Sequence, residues 1–267
     1  MVVNIETVRQ IEAIEIDMMK SRLEAIKAMR DNPMGVTIRR FGHAYAFAVK
    51  HIPGPSFNTV KGLRAGDERF INELLEHYRD LNIPVQFELT PGQTSPELFS
   101  LLAQKGFYQK GFHTSLYAPL VIEDTLMNHL ANLSIRPLEE EEFPIFADIY
   151  TQSFAMPDFL KNSVAQNNQI LHELPSWSFY LASLGGVDVG IAVLFVKDGV
   201  ANLAAAATLP EYRGKGIHAA FIRKRMVQAL RQGCHLIVGQ AASISISQNN
   251  MEKAGFNIAY HKAIWGS

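Results

Sequence analysis

One order of local signals occurs twice along this chain, and that repeat limits the fold more than any other feature. Glu68 to Asp80 has the apolar spacing of a helix, Pro84 to Leu89 reads as a strand, Ser95 to Lys105 as a helix and Phe107 to Tyr117 as extended. The same order returns in Phe221 to Arg231, His235 to Gln240, Ser247 to Ala254 and Phe256 to Trp265. Phe70-Ile71 opens one copy and Phe221-Ile222 the other, and LAQKGF ending at Phe107 parallels MEKAGF ending at Phe256. A period of this size predicts duplicated domains rather than a short-repeat solenoid.

The length of 267 residues allows each half its own core. Residues 1–120 and 133–267 are the expected domains, joined by a linker at 121–132. Before the first copy, apolar residues from Ile5 to Met29 fall mostly three or four apart, which predicts a long amphipathic helix, broken at most once. Val36 to Arg40 and Ala44 to Val49 read as strands. Before the second copy stand a strand at Leu133 to Pro137, a helix opened by Glu139 to Glu142, and strands at Ser178 to Leu184, Val187 to Val196 and Val200 to Thr208. Helices, a strand meander and a crossover define an α+β class.

Composition excludes several functions. A formal net charge of -1 supplies no general attraction to nucleic acid or an anionic membrane. Cys234 is the only cysteine, so an intramolecular disulfide and a CxxC metal or redox site are excluded, and a reducing, cytoplasmic setting fits. The start MVVNIETVRQ does not read as a signal peptide, and the apolar run from Gly190 to Leu209 is interrupted by a Lys197-Asp198-Gly199 turn. No membrane segment is expected.

The segment carrying chemistry follows the last meander strand. Thr208 to Tyr212 leads into Arg213-Gly214-Lys215-Gly216-Ile217-His218, and Ala219 to Leu230 is helical in pattern. Glycines let backbone amides approach a ligand, and a helix N-terminus offers free N–H groups and partial positive charge to phosphate oxygens. Neither the Walker pattern nor the three-glycine dinucleotide fingerprint is present. A glycine turn that only starts a helix is the alternative at this point.

PEYRGKGIHAAFI with NNMEKAGF downstream resembles the GNAT acetyltransferase superfamily over about Leu133 to Trp265. The resemblance implies two tandem GNAT-like domains, each a mixed, mostly antiparallel sheet flanked by helices. It implies acetyl-CoA as cosubstrate, with the pyrophosphate on backbone amides of Arg213, Gly214, Lys215, Gly216, Ile217 and His218. It further implies that the preceding strand splays from its neighbour and offers Ala206, Ala207 and Thr208 to the pantetheine arm, and that Ser247 and Asn250 contact that arm. Capping is the competing role for Ser247, and a tight helix contact the competing reason for the small residues Ala204 to Ala207. His218 stands where relatives carry Gly or Ala; pointing away along the helix surface is its competing role.

Amine acetylation needs a neutral nucleophile and a proton source for the leaving thiolate. Relatives often place a carboxylate near Asn202 and a tyrosine at Met251, so both common groups are missing here. Tyr260 is the candidate acid, with a core position as its alternative. Phe154, Met156, Asp158 and Phe159 border the acceptor site by resemblance, Asp158 being able to attract a cationic amine or to be a solvated loop acid. No metal is expected.

In the first copy, His51 to Asn58, with Pro53 and Pro55, stands where the loop is expected, and no RxxGxG is present. A degenerate GNAT-like half follows from the resemblance. The expected function is an acetyl-CoA-dependent N-acetyltransferase acting on a small-molecule or peptide amine. Its rival is a noncatalytic acyl-CoA-binding or sensor protein; a phosphosugar enzyme lacks an identifiable metal or base constellation.

Overall fold

The structure, a computed structural model, describes residues 3–52, 54–120 and 132–267. Pro53 and nearly all of the expected linker lie outside the described residues. The chain forms α1 (Ile5–Ala28), β1 (Val36–Phe41), β2 (Ala44–Val49), β3 (Thr59–Lys61), α2 (Ile71–Leu81), β4 (Gln86–Leu89), α3 (Pro96–Gln104) and β5 (Tyr108–Pro119). It continues through β6 (Leu133–Pro137), α4 (Phe143–Ser153), α5 (Lys161–His172), β7 (Trp177–Leu184), β8 (Val187–Lys197) and β9 (Val200–Thr208). The last elements are α6 (Ile217–Arg231), β10 (Leu236–Ala242), α7 (Ile246–Lys253) and β11 (Asn257–Gly266). The α+β class and the repeated order are as expected, and α1 runs without a break.

Caps account for several boundaries. Asn4 accepts from the Thr7 amide at 2.9 Å to start α1, and Ser95 accepts from Leu98 at 3.1 Å to start α3. Each satisfies one of the orphan donors of a first helical turn. At α7 the cap is Ser245, which accepts from Gln248 at 3.2 Å, and not Ser247 two residues later.

Two compact units form, and their membership differs from chain order. One gathers residues 1–115, 240–243 and 258–267; the other gathers 116–239 and 244–257. Expected bounds of 1–120 and 133–267 would leave the last strand in the second half. Instead β11 pairs antiparallel with β4, from Ala263 opposite Leu89 to Gly266 opposite Gln86. The end of β5, Leu116 to Pro119, belongs to the second unit, where the next residue, Leu120, donates to His235 O at 2.9 Å. Each copy therefore gives terminal strand residues to the other unit. Strand pairing follows register and the apolar face, and proximity along the chain does not dictate it.

Within the first unit β1, β2 and β3 are antiparallel neighbours and β3 runs parallel to β4. Phe87 and Phe107 meet edge to face at 5.1 Å in its core, and the buried Tyr78 hydroxyl donates to Phe47 O at 2.6 Å. In the second unit β6, β7, β8 and β9 form an antiparallel meander, and β9 is parallel to β10. Phe143 and Phe146 of α4 pack edge to face on Phe179 of β7 at 5.2 and 5.7 Å. A side chain at Gly239 of β10 would meet the Met251 thioether, which packs against this position. Met251 is thus a buried packing residue on the sheet. Among the described residues no helix is long and apolar enough to cross a membrane.

Candidate functional site

Two backbone features of the second unit converge on the Arg213 to His218 segment. The first is an opening between parallel strands. β9 pairs with β10 only at Val200, Ala201 and Asn202, whereas its pairing with β8 continues to Thr208. From Leu203 onward, the edge of β9 turned toward β10 has no ladder partner among the described residues. Leu203 to Ala206 and Thr208 are half-buried there, while Ala207 is buried. Unpaired main-chain groups on a strand edge can pair with a ligand as they would with another strand.

The second feature is a run of unpaired amides. A 3-10 turn at Pro210–Tyr212 ends the strand, Gly214 and Gly216 adopt φ of 77° and 79°, and Gly216 caps α6. No N–H from Gly214 to Ala219 has an acceptor among the described residues; the first helical bond runs from Ala220 to Gly216 O at 3.0 Å. Gly214 to Gly216 are exposed. Positive φ at both glycines leaves successive N–H groups without acceptors, and the dipole of α6 adds positive potential, an arrangement suited to an anion.

Arg213 sets the shape of the segment. Its guanidinium donates to Thr208 O at 3.2 Å and to Ser153 O at 2.7 Å, tying the loop to the end of β9 and the end of α4. Lys215 lies 4.7 Å from the Tyr212 ring centroid and leaves its charge at the surface.

The corresponding place in the first unit is chemically different. The expected counterpart, His51 to Asn58, joins β2 to β3 and does not lead into a helix. By strand pairing the counterpart is the segment after β3, Gly62 to Gly66, which leads into the 3-10 turn Asp67–Phe70 and then α2. Gly66 has φ of 95°, as Gly216 has its positive φ. Here, however, the amides are already satisfied by the chain's own oxygens. The Asp67 carboxylate accepts from Arg64 N at 3.0 Å and His43 N at 3.2 Å, Glu68 accepts from Gly66 N at 2.7 Å, and Gln93 O accepts from Ala65 N at 3.0 Å. Asp67 is 2% exposed. In this unit internal carboxylates take amide donors of the kind that are left without acceptors in the second unit.

His218 has a defined partner. Asn250 Nδ2 donates to His218 Nδ1 at 3.0 Å, joining the first turn of α6 to α7. Burial, and then the nearby Arg225 charge, depress the imidazole to about 4, so it is neutral near pH 7 and able to accept. The side chain is half-buried and does not run out along the helix surface. Because the unfolded chain binds the proton first, stability is full above about pH 6.5 and is lost as pH falls toward 4, by an upper figure of about 3 kcal/mol. Urea unfolding at pH 7 and 4.5 should show a loss in the native chain that exceeds the loss in His218→Leu by up to that amount. Equal losses would refute the role of His218.

Arg225 is a residue that sequence reasoning passed over. It is 1% exposed on α6, and its guanidinium donates to Phe221 O at 3.1 Å, Val193 O at 3.1 Å and Ala205 O at 2.9 Å. Burial lowers its pKa to about 9, with Tyr180 opposing. Its bonds to β8 and β9 lie beside the irregular pairing near Val193 and Phe195. The signal was present, since Arg225 interrupts the otherwise apolar stripe Ile217, Phe221 and Ala229.

The remaining candidates occupy varied surroundings. Ser247 is half-buried on α7, and Asn250 spends its amide nitrogen on His218. Asn202 is 2% exposed, and its Nδ2 has no partner. Phe154 is exposed against Tyr150 at 4.8 Å, and Phe159 is 79% exposed. Asp158 is exposed beside Lys161 at 3.3 Å, and Lys161 also holds Asp148 at 2.6 Å, which reduces the free negative charge expected of Asp158. Tyr260 belongs to the first unit and is 8% exposed; its hydroxyl is buried without a hydrogen-bond partner. Burial and then Glu15 and Glu12 drive its pKa well above the ordinary value. That is a core position rather than a cleft-facing one. Among the described residues no three His, Cys, Asp or Glu side chains gather as a metal site.

Residues 135–256, which hold the open strand edge and the amide loop, match the model of the acetyltransferase (GNAT) family. This segment is a GNAT domain. Solved structures extend the likeness in fold to nearly the whole chain. A GCN5-related N-acetyltransferase from Kribbella flavida aligns over 94% of both chains with a TM-score of 0.67 and 14% identity. A tandem GNAT protein from the clavulanic acid biosynthesis pathway aligns over 95% of both with a TM-score of 0.65 and 12% identity. A GCN5-related N-acetyltransferase from Sphaerobacter thermophilus aligns over 84% of this chain and 76% of its own, with a TM-score of 0.66 and 15% identity. No curated protein matches this sequence. The architecture is a tandem GNAT fold.

Proposed function

We propose that the second unit binds acetyl-CoA and transfers the acetyl group to an amine. The observation that carries this reading is the contrast between the two loops: the amides from Gly214 to Ala219 are free, whereas their first-unit counterparts hold Asp67 and Glu68. A diphosphate supplies the oxygens that such a row of donors lacks, and the α6 dipole favours its charge. The unpaired edge of β9 from Leu203 to Thr208 fits the amide groups of a pantetheine arm. Ser247 offers a further hydroxyl to that arm, and Asn250 a carbonyl oxygen.

Acetyl-CoA, when bound, supplies the activated acyl group. The chain's contribution is orientation: Arg213 fixes the loop, Asn250 and His218 fix α7 against α6, and the β9 edge sets the depth of the arm. Asn202 and Met251 provide no titratable group, so in this proposal the proton leaves the amine through water. Phe154 and Asp158 form the acceptor side, where Asp158 attracts a cationic amine in exchange for its Lys161 partner. Thiol release from acetyl-CoA, measured across a panel of amines, is expected to exceed hydrolysis for at least one amine. Tight coenzyme A binding without turnover on any amine would replace this reading with a noncatalytic acyl-CoA-binding protein.

A further inference from the structure

The first unit has lost its free amide loop, yet it contains a cavity of about 350 Å³ walled by α1, β3, β4 and the strands beside them. Its polar wall is a buried network of charges. Lys262 Nζ lies 2.6 Å from Glu15 and 2.8 Å from Glu88, and Lys61 pairs with Glu88 as well. Glu15, Lys61 and Glu88 face the cavity; Lys262 stands behind them. Side-chain exposure is 2% at Lys262, 3% at Glu15, 8% at Lys61 and 12% at Glu88. Ionised carboxylates and ammoniums are costly to bury, and a buried ion pair is often no better for stability than an apolar replacement. The network therefore needs a reason beyond packing.

Its unused bonding capacity indicates one. Both lysines converge on Oε2 of Glu88, while Glu88 Oε1 has no donor among the described residues. Lys61 has one carboxylate partner and three N–H donors, so it retains donors for another acceptor. The His113 imidazole, also on the wall, makes no hydrogen bond to a described residue. Burial, followed by the Lys262 charge, lowers its pKa, so it adds no positive charge near pH 7. Met18, Met19 and Ile264 add apolar lining beside these charges, Ser56, Gln86 and Gln240 add neutral polar groups, and Phe112 at 59% exposure marks the solvent side.

Charge balance selects the ligand class. Lys61 and Lys262 stand against Glu15 and Glu88, two groups of each sign, with burial lowering the Lys61 pKa and Glu88 opposing that shift. A ligand of large net charge would bring a buried, uncompensated charge. That disfavours a polyphosphate or a polyamine. The volume lies near the lower end of the ~300–1,000 Å³ typical of small-molecule sites. We propose that this cavity binds a small zwitterion of the amino-acid class. Its carboxylate takes the spare donors of Lys61, its ammonium takes Glu88 Oε1, and its apolar side chain lies on Met18, Met19 and Phe112.

The test is calorimetric titration of the full chain with apolar L-amino acids, L-leucine and L-methionine included. For any amino acid that binds, the matched amine without the carboxylate and the matched acid without the ammonium are titrated too; for leucine these are isopentylamine and 4-methylpentanoate. At least one amino acid is expected to bind ten-fold or more tightly than both of its analogues. Lys61→Met should weaken it ten-fold or more, and Phe112→Ala, which leaves the buried charges intact, three- to ten-fold. Gly216→Val, which alters the GNAT loop, should leave this affinity unchanged; loss there would assign the amino acid to the second unit and overturn the proposal. Absence of binding across the panel, or binding of an amine or acid as tight as that of its amino acid, would also overturn it. Because the readout is binding and not acetyl transfer, failure of the proposed acetyltransferase activity leaves the result interpretable.

Discussion

Gly216→Val is expected to weaken coenzyme A binding by about 30- to 1,000-fold while the chain stays folded. Gly216 holds φ of 79°, and a β-branched residue there costs about 1–3 kcal/mol of backbone strain. Relief of that strain rotates the peptide that aims the Ile217 and His218 amides. Each charge-assisted hydrogen bond to an anion is worth about 1.5–3 kcal/mol, so partial loss of two, about 2–4 kcal/mol, corresponds to that range of affinity. The comparison variant is Lys215→Ala, which removes a surface charge and leaves every amide in place. Screening by salt makes its effect small, about three-fold. Calorimetric titration with coenzyme A measures both, and circular dichroism checks that each variant is folded. An unchanged dissociation constant in Gly216→Val would remove the loop from the binding site.

Lys262→Met is expected to destabilise the first unit by about 3–5 kcal/mol, the largest single-residue effect on stability anticipated in the chain. Lys262 is fully enclosed and bridges Glu15 to Glu88. Both neighbours stabilise its ammonium by more than burial disfavours it, and its pKa is raised accordingly. Glu88 is the reciprocal case: burial raises its pKa, but Lys262 and Lys61 together pull it far below the usual carboxylate range. Removing the lysine leaves Glu15 without an ion-pair partner and Glu88 with Lys61 alone. Glu15→Gln combined with Lys262→Met should recover part of the loss, because two opposite charges are then withdrawn together. The two tryptophans separate the readouts, Trp265 being in the first unit and Trp177 in the second. In a Trp177→Phe background, urea unfolding followed by Trp265 fluorescence should shift to lower urea in Lys262→Met. A loss below about 1 kcal/mol would show that the network contributes little to stability.

Much of the tandem GNAT architecture was legible in the residues. Apolar spacing located the helices and strands, because burying one face imposes its period on the chain. The matched Phe70 and Phe221, and the LAQKGF and MEKAGF segments, exposed the duplication. Gly214 and Gly216 at a strand-to-helix junction marked a loop of positive φ, because only glycine enters that region freely. The buried stripe of α6 was legible too, although Arg225 within it was overlooked.

Other features depend on groups far apart in sequence. Nothing local told that β11 would pair with β4, since an antiparallel edge accepts any strand of suitable register and face. The compact units therefore include strand residues that are not contiguous with them in the chain. The counterpart of the glycine loop was misplaced at His51 to Asn58 because β3 is only three residues long and leaves a weak period-two signal. Asp67 looked like an ordinary acidic helix opener; its role as an internal anion depends on Arg64 and on His43, which lies 24 positions away. Tyr260, Lys262 and Glu15 likewise acquire their burial and charge environment only when the last strand reaches α1.

The sequence by itself determined the two-copy order, the α+β class and the location of the second unit's amide loop, because these arise from short-range periodicity and backbone conformation. Tertiary structure alone decided which strands the units exchange, why one loop is open and the other filled by carboxylates, and where buried charges of both signs line part of a cavity. Those outcomes are set by electrostatics and pairing between residues up to 247 positions apart, as for Glu15 and Lys262, a separation at which local sequence pattern carries no information.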